Sequence, residues 1–348
     1  GSTSASRQAL INANPNGTAF CLQSGIHFSD SSVVPKTGNT FTGQYGAIID
    51  GSGWSSTDPE DGCFKALGVD VDSVTIRNIV IRNMPQNGIT AFHDFSSIWV
   101  IDHCDVGFNG FVGVVIPPDS TVSNNLIHHN LRGGYGGFEA DNSVFDNNEI
   151  NNNGSEQKVG LANGLIFRRN WVHHNTLDGI WYDTIRTPGG VIIEDNICED
   201  NPRDGISLEA VDGAIVRRNI TRRNGEGILL AGSQNIEVRE HTGLNDVIGI
   251  SLFIDLDAVS AERHLRNNNI HHNIITPGAG NHAIVFSKIG TIAPFAPYQT
   301  NAVGNNCDFN TYHMINLADA IWFWWTGNFN WTSWQGIPQD LNGTHVVP

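Results

Sequence analysis

Residues 191–201, Val-Ile-Ile-Glu-Asp-Asn-Ile-Cys-Glu-Asp-Asn, and residues 204–209, Asp-Gly-Ile-Ser-Leu-Glu, decide the fold of this chain. Both stretches contain β-branched residues in short alternating patterns, and a polar turn separates them. Asn, Gly and β-branched residues are weak helix formers, which argues against helices here. One such unit of roughly 22 residues, at ~3.3 Å per residue, makes one turn of a coil built from short strands.

A pair of asparagines five positions apart, here Asn196 and Asn201, recurs along most of the sequence. The other pairs are Asn78/Asn83, Asn125/Asn130, Asn148/Asn153, Asn170/Asn175, Asn219/Asn224 and Asn268/Asn273, and Cys104/Asn109 and His241/Asp246 fill the two missing registers. A spacing of about 21–27 residues predicts stacked supersecondary units. We interpret these asparagines as turn residues that tolerate a left-handed backbone and bond to the same position one coil away.

The repeat predicts one all-β domain, a parallel β-helix of about ten coils with capped ends. Residues 1–50 form the N-terminal cap and first coil, with a short helix over 4–14. Residues 51–289 are the repeat coils, and residues 290–348 are a Trp-rich C-terminal cap. The tryptophans near the end are interpreted as the plug of an open coil rather than as a sugar platform.

Composition excludes two classes of partner. The net charge of −16 disfavours nucleic acid and anionic membranes, since a phosphate backbone is held by Lys and Arg. The sequence contains no run of about 18 apolar residues, so no transmembrane helix is predicted. The leading Gly1-Ser2 is typical of an expression scar on a mature secreted chain, so an extracellular location is expected. Cys21 and Cys63 are candidates for a disulfide, and the odd count of cysteines leaves one thiol outside any intrachain pair.

The Asn-x4-Asn coils, the opening Thr-Ala-Phe-Cys-Leu-Gln-Ser-Gly at 18–25 and Trp334-Gln335 carry a resemblance to a known group. The chain resembles secreted bacterial right-handed parallel β-helix repeat proteins of the pectate-lyase-like superfamily. This resemblance implies a right-handed coil and an enzyme that cleaves or epimerises a polysaccharide, by hydrolysis or by β-elimination. Its motifs specify the fold much better than the activity.

A glycine followed by an apolar residue marks a second strand in each coil. The pairs are Gly88-Ile89, Gly113-Val114, Gly137-Phe138, Gly179-Ile180, Gly205-Ile206, Gly227-Ile228 and Gly249-Ile250. If the apolar residue points inward, alternation places every second residue after it on the outer face. This predicts outward side chains at Glu139, Asp141, Trp181, Asp183, Ser207 and Glu209. The register of the coil around Lys158 stays open.

The first hypothesis for this face is a polysaccharide lyase that acts on a uronate-containing glycan. Calcium on two or three of Asp141, Asp183 and Glu209 would bind the uronate carboxylate, and Lys158 would remove the C5 proton. Substrate-binding roles are predicted for four further side chains, namely Trp181, Arg186, Glu139 and His93. The resemblance supports the residue types only, since lyases of the superfamily combine acidic calcium ligands with a Lys or Arg base.

Two other hypotheses use the same residues. In a glycoside hydrolase, Asp183 and Glu209 would act as acid and as nucleophile or base, with their separation deciding the stereochemical outcome. In a non-catalytic carbohydrate-binding β-helix, Asp141, Lys158, Asp183 and Glu209 would form a salt-bridged column without chemistry. The sequence leaves these alternatives open.

Three histidine pairs precede asparagines of the repeat, at His128-His129, His173-His174 and His271-His272. Adjacent residues on a strand face opposite ways, so both rings of a pair are not expected to bind one metal ion. We therefore interpret these histidines as residues that fill repeat positions.

Overall fold

A computed structural model describes residues 1–348 except 67–69, 92–95, 156, 185–189, 256–264, 290–303, 315–321, 325–326, 337–338 and 347–348. The described chain is all-β apart from two short helices, and its parallel strands form a solenoid of about ten turns. Residues 1–176 and 177–348 are two compact units. Each unit contributes strands to three sheets, called A, B and C below.

In the first unit a helix precedes the coils, α1 Ser4–Ala13. Sheet A contains β1 Ala19–Leu22, β3 Thr40–Gly43, β6 Thr75–Arg77, β9 Val100–Asp102, β12 Thr121–Ser123, β15 Val144–Asp146 and β18 Ile166–Arg168. Sheet B contains β2 Gly25–Phe28, β4 Ala47–Asp50, β7 Val80–Arg82, β10 Asp105–Gly107, β13 Leu126–His128, β16 Glu149–Asn151 and β19 Trp171–His173. Sheet C contains β5 Gly62–Ala66, β8 Asn87–Ala91, β11 Val112–Val115, β14 Gly133–Phe138 and β17 Lys158–Gly160.

The second unit repeats this order. Sheet A contains β21 Val191–Glu194, β24 Asp212–Arg217, β27 Gln234–Arg239, β30 Asn269–His271 and β33 Asn306–Asp308. Sheet B contains β22 Ile197–Glu199, β25 Ile220–Arg222, β28 Thr242–Leu244, β31 Ile274–Thr276, β34 Thr311–His313 and β37 Thr344–Val346. Sheet C contains β20 Ile180–Asp183, β23 Asp204–Glu209, β26 Glu226–Ala231, β29 Ile248–Asp255, β32 His282–Ile289, β35 Trp322–Trp324 and β36 Gly327–Phe329, and a helix follows, α2 Trp331–Gln335.

The core of each unit is a stack of identical or similar apolar side chains. In sheet C of the second unit, Ile206 pairs with Ile228, which pairs with Ile250, and all three are fully buried. Each coil thus covers the apolar side chains of the coil before it, and burial at about 25 cal/mol per Å² stabilises the stack. A repeat unit cannot bury this face alone, which explains why the period is visible in the sequence.

The predicted asparagine ladder is present in both units. The Asn130 side-chain amide donates to Asn153 Oδ1 at 3.0 Å, and the Asn153 amide donates to Asn175 Oδ1 at 3.1 Å. The same amide nitrogens also donate to strand carbonyls, as Asn153 does to Ile127 O at 3.0 Å. A neutral amide that both donates and accepts satisfies the buried groups of every coil.

The ladder differs from the sequence interpretation in its backbone. The left-handed residue is the one before each ladder asparagine, for example His129 with φ 53° before Asn130 and Arg223 with φ 59° before Asn224. Asn78 and Asn83 themselves have positive φ and lie one residue before the ladder positions. The ladder asparagines therefore contribute side-chain hydrogen bonds, and the residue before each of them, whose type varies from coil to coil, adopts the left-handed backbone.

The ladder also runs further than the sequence indicated. The sequence pattern placed Asn273 at the ladder position of Asp246. In the structure the backbone amide of His241 donates to Asn273 Oδ1, so Asn273 stacks on His241, the first member of that pair. Asn305 and Asn310 continue the ladder beyond Ile289, the predicted end of the repeat coils. The longer inter-coil loops shift the spacing and hide this coil from a search for a fixed period.

The ends of the chain are covered by apolar side chains. Helix α1 begins with a capping box between Thr3 and Ser6, and its Ile11 is buried. Near the other end, Trp322 and Trp334 are fully buried and stack with ring centroids 6.0 Å apart. This packing agrees with a plug of the coil interior.

All five cysteines are free thiols, so the candidate disulfide between Cys21 and Cys63 is not formed. Cys63 is buried, and burial raises the pKa of its thiol to about 12, whereas Cys21 is exposed. Within the described residues, no helix has the length and apolar content needed to span a bilayer.

Candidate active site

Near the start of three successive strands, sheet C of the second unit carries a group of acidic side chains whose pKa values are raised by burial. Three acids, Asp178, Asp204 and Glu226, each stand directly before the glycine of a Gly-Ile pair on successive coils. We call these three residues the carboxyl cluster. Asp204 pairs with Glu226 in the register of β23 and β26, and the backbone amide of Gly179 donates to Asp204 O at 2.7 Å. Three acids are therefore stacked at the spacing of neighbouring strands, about 4.8 Å.

Glycine after each acid is required by close packing between coils. A Cβ on Gly205 would lie 2.8 Å from the carbonyl oxygen of Gly227, and one on Gly179 would lie 2.5 Å from that of Gly205. The pairing of β23 with β26 includes residues 204 and 206 but omits Gly205, so the strand alternation is interrupted at this point. The alternation that points Ile206 and Leu208 into the core therefore does not extend back to Asp204.

Burial and mutual repulsion raise the pKa values of the cluster. Asp178 and Asp204 are each 1% exposed. Burial, followed by the nearby charges of Asp178 and Glu226, raises the pKa of Asp204 to about 8. The pKa of Asp178 is also raised by burial, while the Arg203 guanidinium acts in the opposite direction. Burial raises the pKa of Glu226 against a hydrogen bond from the Ser251 side chain.

Arg203 holds one member of the cluster more tightly than the others. Its Nε donates to Asp178 Oδ1 at 2.7 Å and its Nη2 donates to Asp178 Oδ2 at 2.5 Å, a two-point ion pair. Asp204 Oδ2 lies 3.5 Å from Arg203 Nε and accepts no hydrogen bond from the described residues. The side chains of Asp178 and Asp204 are also hydrogen-bonded to each other, so they share a proton and titrate as a pair.

Trp181 forms the aromatic part of this face. The Arg203 guanidinium carbon lies 4.8 Å from the centroid of the Trp181 ring, a cation–π contact. The Arg203 side chain is 43% exposed, so it covers the buried Asp178 and still reaches solvent. Ser207 and Ser251 lie in the same column of the register as Trp181. The cluster, the guanidinium and the indole ring are thus contiguous.

Asp183 and Glu209 lie further along the same strands. They are Cα partners across β20 and β23, and both are half-buried. Glu209 follows Asp204 by five residues, or about 16 Å along an extended strand, so these two carboxyl groups cannot act on one bond. Sheet C therefore carries two separate sets of acidic residues, the carboxyl cluster and the pair Asp183/Glu209.

The other predicted site residues lie in the first unit or outside the described residues. Lys158 is half-buried in the first unit, where it pairs with Gly136, whereas Asp183 and Glu209 belong to the second unit. Asp141 also belongs to the first unit, and its carboxylate accepts from the backbone amide of Asn163 at 2.8 Å. Arg186 and His93 lie outside the described residues. The joint action of Lys158 with the two carboxylates stays a prediction.

The inward placement of Phe138 was wrong. Phe138 is 50% exposed, and the core position belongs to Tyr135, which is fully buried and pairs with Val114. The glycine pair of this coil is therefore Gly134-Tyr135 rather than Gly137-Phe138. Glu139 is exposed and follows the end of β14 with a left-handed backbone, φ 53°.

Sequence reasoning missed the carboxyl cluster and Arg203. The signal was present, since an acid stands before Gly-Ile in three successive coils, but the outward positions were sought only after each glycine pair. For a metal, no group of three or more His, Cys, Asp or Glu side chains among the described residues is arranged to hold an ion. The predicted calcium on two or three of Asp141, Asp183 and Glu209 stays a prediction, and no catalytic step below involves calcium.

Comparison with known proteins agrees with this architecture. A protein-family profile described as a right handed beta helix region matches residues 66–188. The protein is a right-handed parallel β-helix. No curated protein sequence matches this right-handed β-helix significantly.

Solved structures share the fold of this right-handed β-helix at low sequence identity. The A-module of the mannuronan C-5 epimerase AlgE4 from Azotobacter vinelandii is 16% identical with a TM-score of 0.67, covering 99% of this chain and 95% of the module. The Dettilon tailspike protein is 15% identical with a TM-score of 0.65, covering 93% and 64%. A DFA-IIIase from Arthrobacter chlorophenolicus A6, solved in complex with GF2, is 12% identical with a TM-score of 0.55, covering 89% and 87%. At these identities the likeness shows the fold alone.

Proposed function

We propose that the protein cleaves glycosidic bonds of a polysaccharide by acid–base catalysis at the carboxyl cluster. The observation that carries this proposal is the position of the buried Asp204 between Glu226 and the arginine-held Asp178, an environment that raises the pKa of Asp204 to about 8. A carboxyl group that keeps its proton at neutral pH is the general acid that glycoside hydrolysis requires. Environments that separate the pKa values of neighbouring carboxyl groups assign their acid and base roles.

The reaction needs one proton delivered and one removed. Asp204 donates its proton to the glycosidic oxygen as the bond to the anomeric carbon breaks. A neighbouring carboxylate, Asp178 or Glu226, attacks the anomeric carbon as the nucleophile, because carboxyl groups at the strand spacing of about 4.8 Å leave no room for a water molecule between them. The Asp204 carboxylate then takes a proton from the water that hydrolyses this glycosyl-enzyme intermediate. The products are two hydroxyl-terminated sugars, and the proton gained by the base restores the cluster.

Arg203 and Trp181 form the outer layer of this proposed site. A sugar ring stacked on the indole would take the place of the guanidinium, which lies 4.8 Å from the ring centroid. Moving Arg203 from Asp178 would open the buried cluster to the substrate and change the charge beside Asp204. Substrate binding would therefore expose Asp204 and change its protonation in the same step.

Two of the structural neighbours are consistent with a sugar substrate. One is named a mannuronan epimerase, and the other is a DFA-IIIase in complex with GF2. The elongated outer face of a solenoid also suits a polymer better than a small molecule. We extend this to an extracellular polysaccharide, in agreement with the net charge of −16 and its poor match to nucleic acid.

A second candidate is β-elimination on a uronate, with Lys158 as base and Asp183 and Glu209 beside the substrate carboxylate. The observation that favours it is the direct pairing of Asp183 with Glu209, because two carboxylates opposite each other on adjacent strands repel and favour a bound cation. Trp181, Glu139, Arg186 and His93 stay proposed substrate contacts in this scheme.

A glycan panel separates these schemes. New reducing ends without absorbance of unsaturated uronates would support hydrolysis, and that activity should vanish in Asp204→Asn but persist in Asp183→Asn. Absorbance of unsaturated uronates that is lost in Lys158→Ala or Asp183→Asn and kept in Asp204→Asn would instead establish elimination. Binding without either product would contradict both and leave a carbohydrate-binding protein.

A further inference from the structure

A groove in the first unit lies at the corner where each coil passes from sheet A to sheet B. It has a volume of about 410 Å³ and is lined by the turn after β3, the start of β4 and the corresponding parts of the next two coils. None of its lining residues belongs to sheet C or to the carboxyl cluster, which lies in the second unit. The groove is therefore a surface that the proposed catalysis does not use.

One wall of this groove is an exposed aromatic ring on a well-anchored turn. Tyr45 is fully exposed, so the faces of its ring are accessible to a ligand. The turn that carries it, residues 44–46, has one residue more than the corresponding turns of the next two coils. Hydrogen bonds hold this turn to the first coil, from Gln44 N to Leu22 O at 2.8 Å, from Ser24 Oγ to Tyr45 O at 2.6 Å and from Gly25 N to Gly46 O at 2.9 Å. Because the backbone is already fixed, a ligand that packs on the ring orders few further bonds.

The other wall, two coils further along, presents hydrogen-bond acceptors. His103 is exposed, and its Nδ1 lies 2.9 Å from Asp102 Oδ2. A ring that donates its Nδ1 proton to a carboxylate has a lone pair on Nε2. Asp105 Oδ1 lies 2.9 Å from His128 Nε2, and the Asp105 side chain is 41% exposed, so its second oxygen is accessible to a ligand. Both groups accept hydrogen bonds, which favours a ligand that donates them.

The floor between the two walls is largely apolar. Ala47, Ile79 and Val80 contribute to it. A Cβ on Gly43 would collide with the carbonyl oxygen of Asn78, so successive coils are in direct contact beneath the groove. An aromatic wall, an apolar floor and a wall of acceptors suit a sugar ring, because the C–H faces of the sugar are apolar and its hydroxyl groups donate hydrogen bonds.

We infer that this groove is a binding subsite for a neutral sugar residue of a polysaccharide, separate from the site of cleavage. A C–H face of the sugar packs on Tyr45, and its hydroxyl groups donate to the Asp105 carboxylate and to His103 Nε2. Among the described lining residues there is no Lys or Arg, so the Asp105 charge disfavours a uronate or a sulfated sugar at this position. The inference rests on the proposed function for the type of ligand, a polysaccharide, but assigns no step of cleavage to these residues.

The test measures how far native gels that contain a polysaccharide retard the full chain. The neutral probes are inulin, dextran, galactomannan and hydroxyethyl cellulose, and polygalacturonate is the acidic probe. We expect at least one neutral polymer to retard the protein. Tyr45→Ala should weaken that interaction by about tenfold or more, because the ring contact and its buried area are lost, whereas Tyr45→Phe keeps the ring and should keep most of the affinity. His103→Ala removes one acceptor and should weaken binding by about threefold.

Phe28→Ala is the matched control, because Phe28 is an exposed aromatic residue of the same unit that does not line the groove. It should be retarded as strongly as the parent, and circular dichroism checks that every variant is folded. The inference is overturned if no neutral polymer retards the parent, if only polygalacturonate does, or if Tyr45→Ala is retarded as strongly as the parent. Retardation that depends on Tyr45, without cleavage of any glycan, would support the groove and reject the proposed function, so the two can fail separately.

Discussion

The asparagine ladder and the carboxyl cluster are both columns of buried polar side chains repeated from coil to coil, but their chemistry is opposite. In the ladder, Asn153 donates to Ile127 O and Asn175 Oδ1 and accepts from the backbone and side chain of Asn130. In the cluster, Asp204 lies between two acids, and its Oδ2 accepts from no described group. Repeating an amide satisfies hydrogen bonds, whereas repeating an acid accumulates charge.

Asp246 stands between these two extremes. It occupies the ladder position after Asn224, accepts from the Asn224 amide at 2.9 Å and from the Thr221 hydroxyl at 2.7 Å, and is buried. Burial raises its pKa to about 6, and these hydrogen bonds oppose the rise. An acid in the ladder is thus stabilised by donors that the cluster does not provide. A fold tolerates a poorly satisfied cluster where function requires it.

The largest effect is expected for activity. Replacing Asp204 by Asn removes the acid while keeping the shape of the side chain, so turnover on the responsive glycan should fall by about 10²–10⁴-fold. The variant should nevertheless unfold at a higher temperature than the parent at pH 7, because folding the parent requires Asp204 to take up a proton and folding the Asn variant does not. Rate assays and thermal denaturation measure both. A loss of activity together with a lower melting temperature would indicate a structural role for Asp204.

Breaking the ladder should have the opposite effect on stability. Asn153→Ala leaves the buried donors of Asn130 without their acceptor, at about 1–3 kcal/mol for each unsatisfied group. Chemical denaturation should therefore show a loss of about 3 kcal/mol in the free energy of unfolding. Asn306→Ala is the control, because the exposed side chain of Asn306 bonds only to Asn269 among the described residues. A change within about 0.5 kcal/mol is expected there, and equal losses in both variants would contradict the ladder's role.

The ion pair of Arg203 should make an intermediate contribution to the free energy of unfolding. Arg203→Leu leaves the buried Asp178 without its ion-pair partner, which costs about 3–5 kcal/mol for a fully buried pair and about 2 kcal/mol once the exposure of Arg203 is considered. Arg218→Leu, which removes exposed ion pairs with Glu194 and Asp195, should destabilise the protein less than Arg203→Leu does, because water screens exposed pairs. Urea titrations of both variants test the difference. A larger loss for Arg218 would show that the Asp178 pair is not the stronger one.

The smallest effects concern pH. The pKa of Asp204 in the fold lies above the ordinary aspartate value of 3.8, so the folded state holds the proton to higher pH and stability falls as pH rises from about 4 through about 8. For Asp246 the corresponding fall ends near pH 6. The stability gained by Asp204→Asn should therefore grow up to about pH 8, and that gained by Asp246→Asn only up to about pH 6. Melting temperatures across pH 4–9 measure both, and a pH-independent difference would contradict the assignments.

The period, the parallel coil and the stacked asparagines follow from the sequence because each coil buries the same positions as the last. The site does not follow in the same way. Alternation fails where a glycine or a left-handed residue interrupts the strand, and this affects both Gly205 before Ile206 and His129 after His128. Tyr135 rather than Phe138 fills the core for the same reason, since a glycine-rich strand offers more than one register.

The protonation of Asp204 at neutral pH can be observed directly. A ¹³C NMR titration of carboxyl-labelled aspartate, with Asp204→Asn to assign the signal, measures the pKa of this side chain. We expect the Asp204 carboxyl to titrate near pH 8 in the parent protein. Titration near pH 4 would contradict the account, because the proposed acid would then be ionised under the conditions in which it must donate a proton.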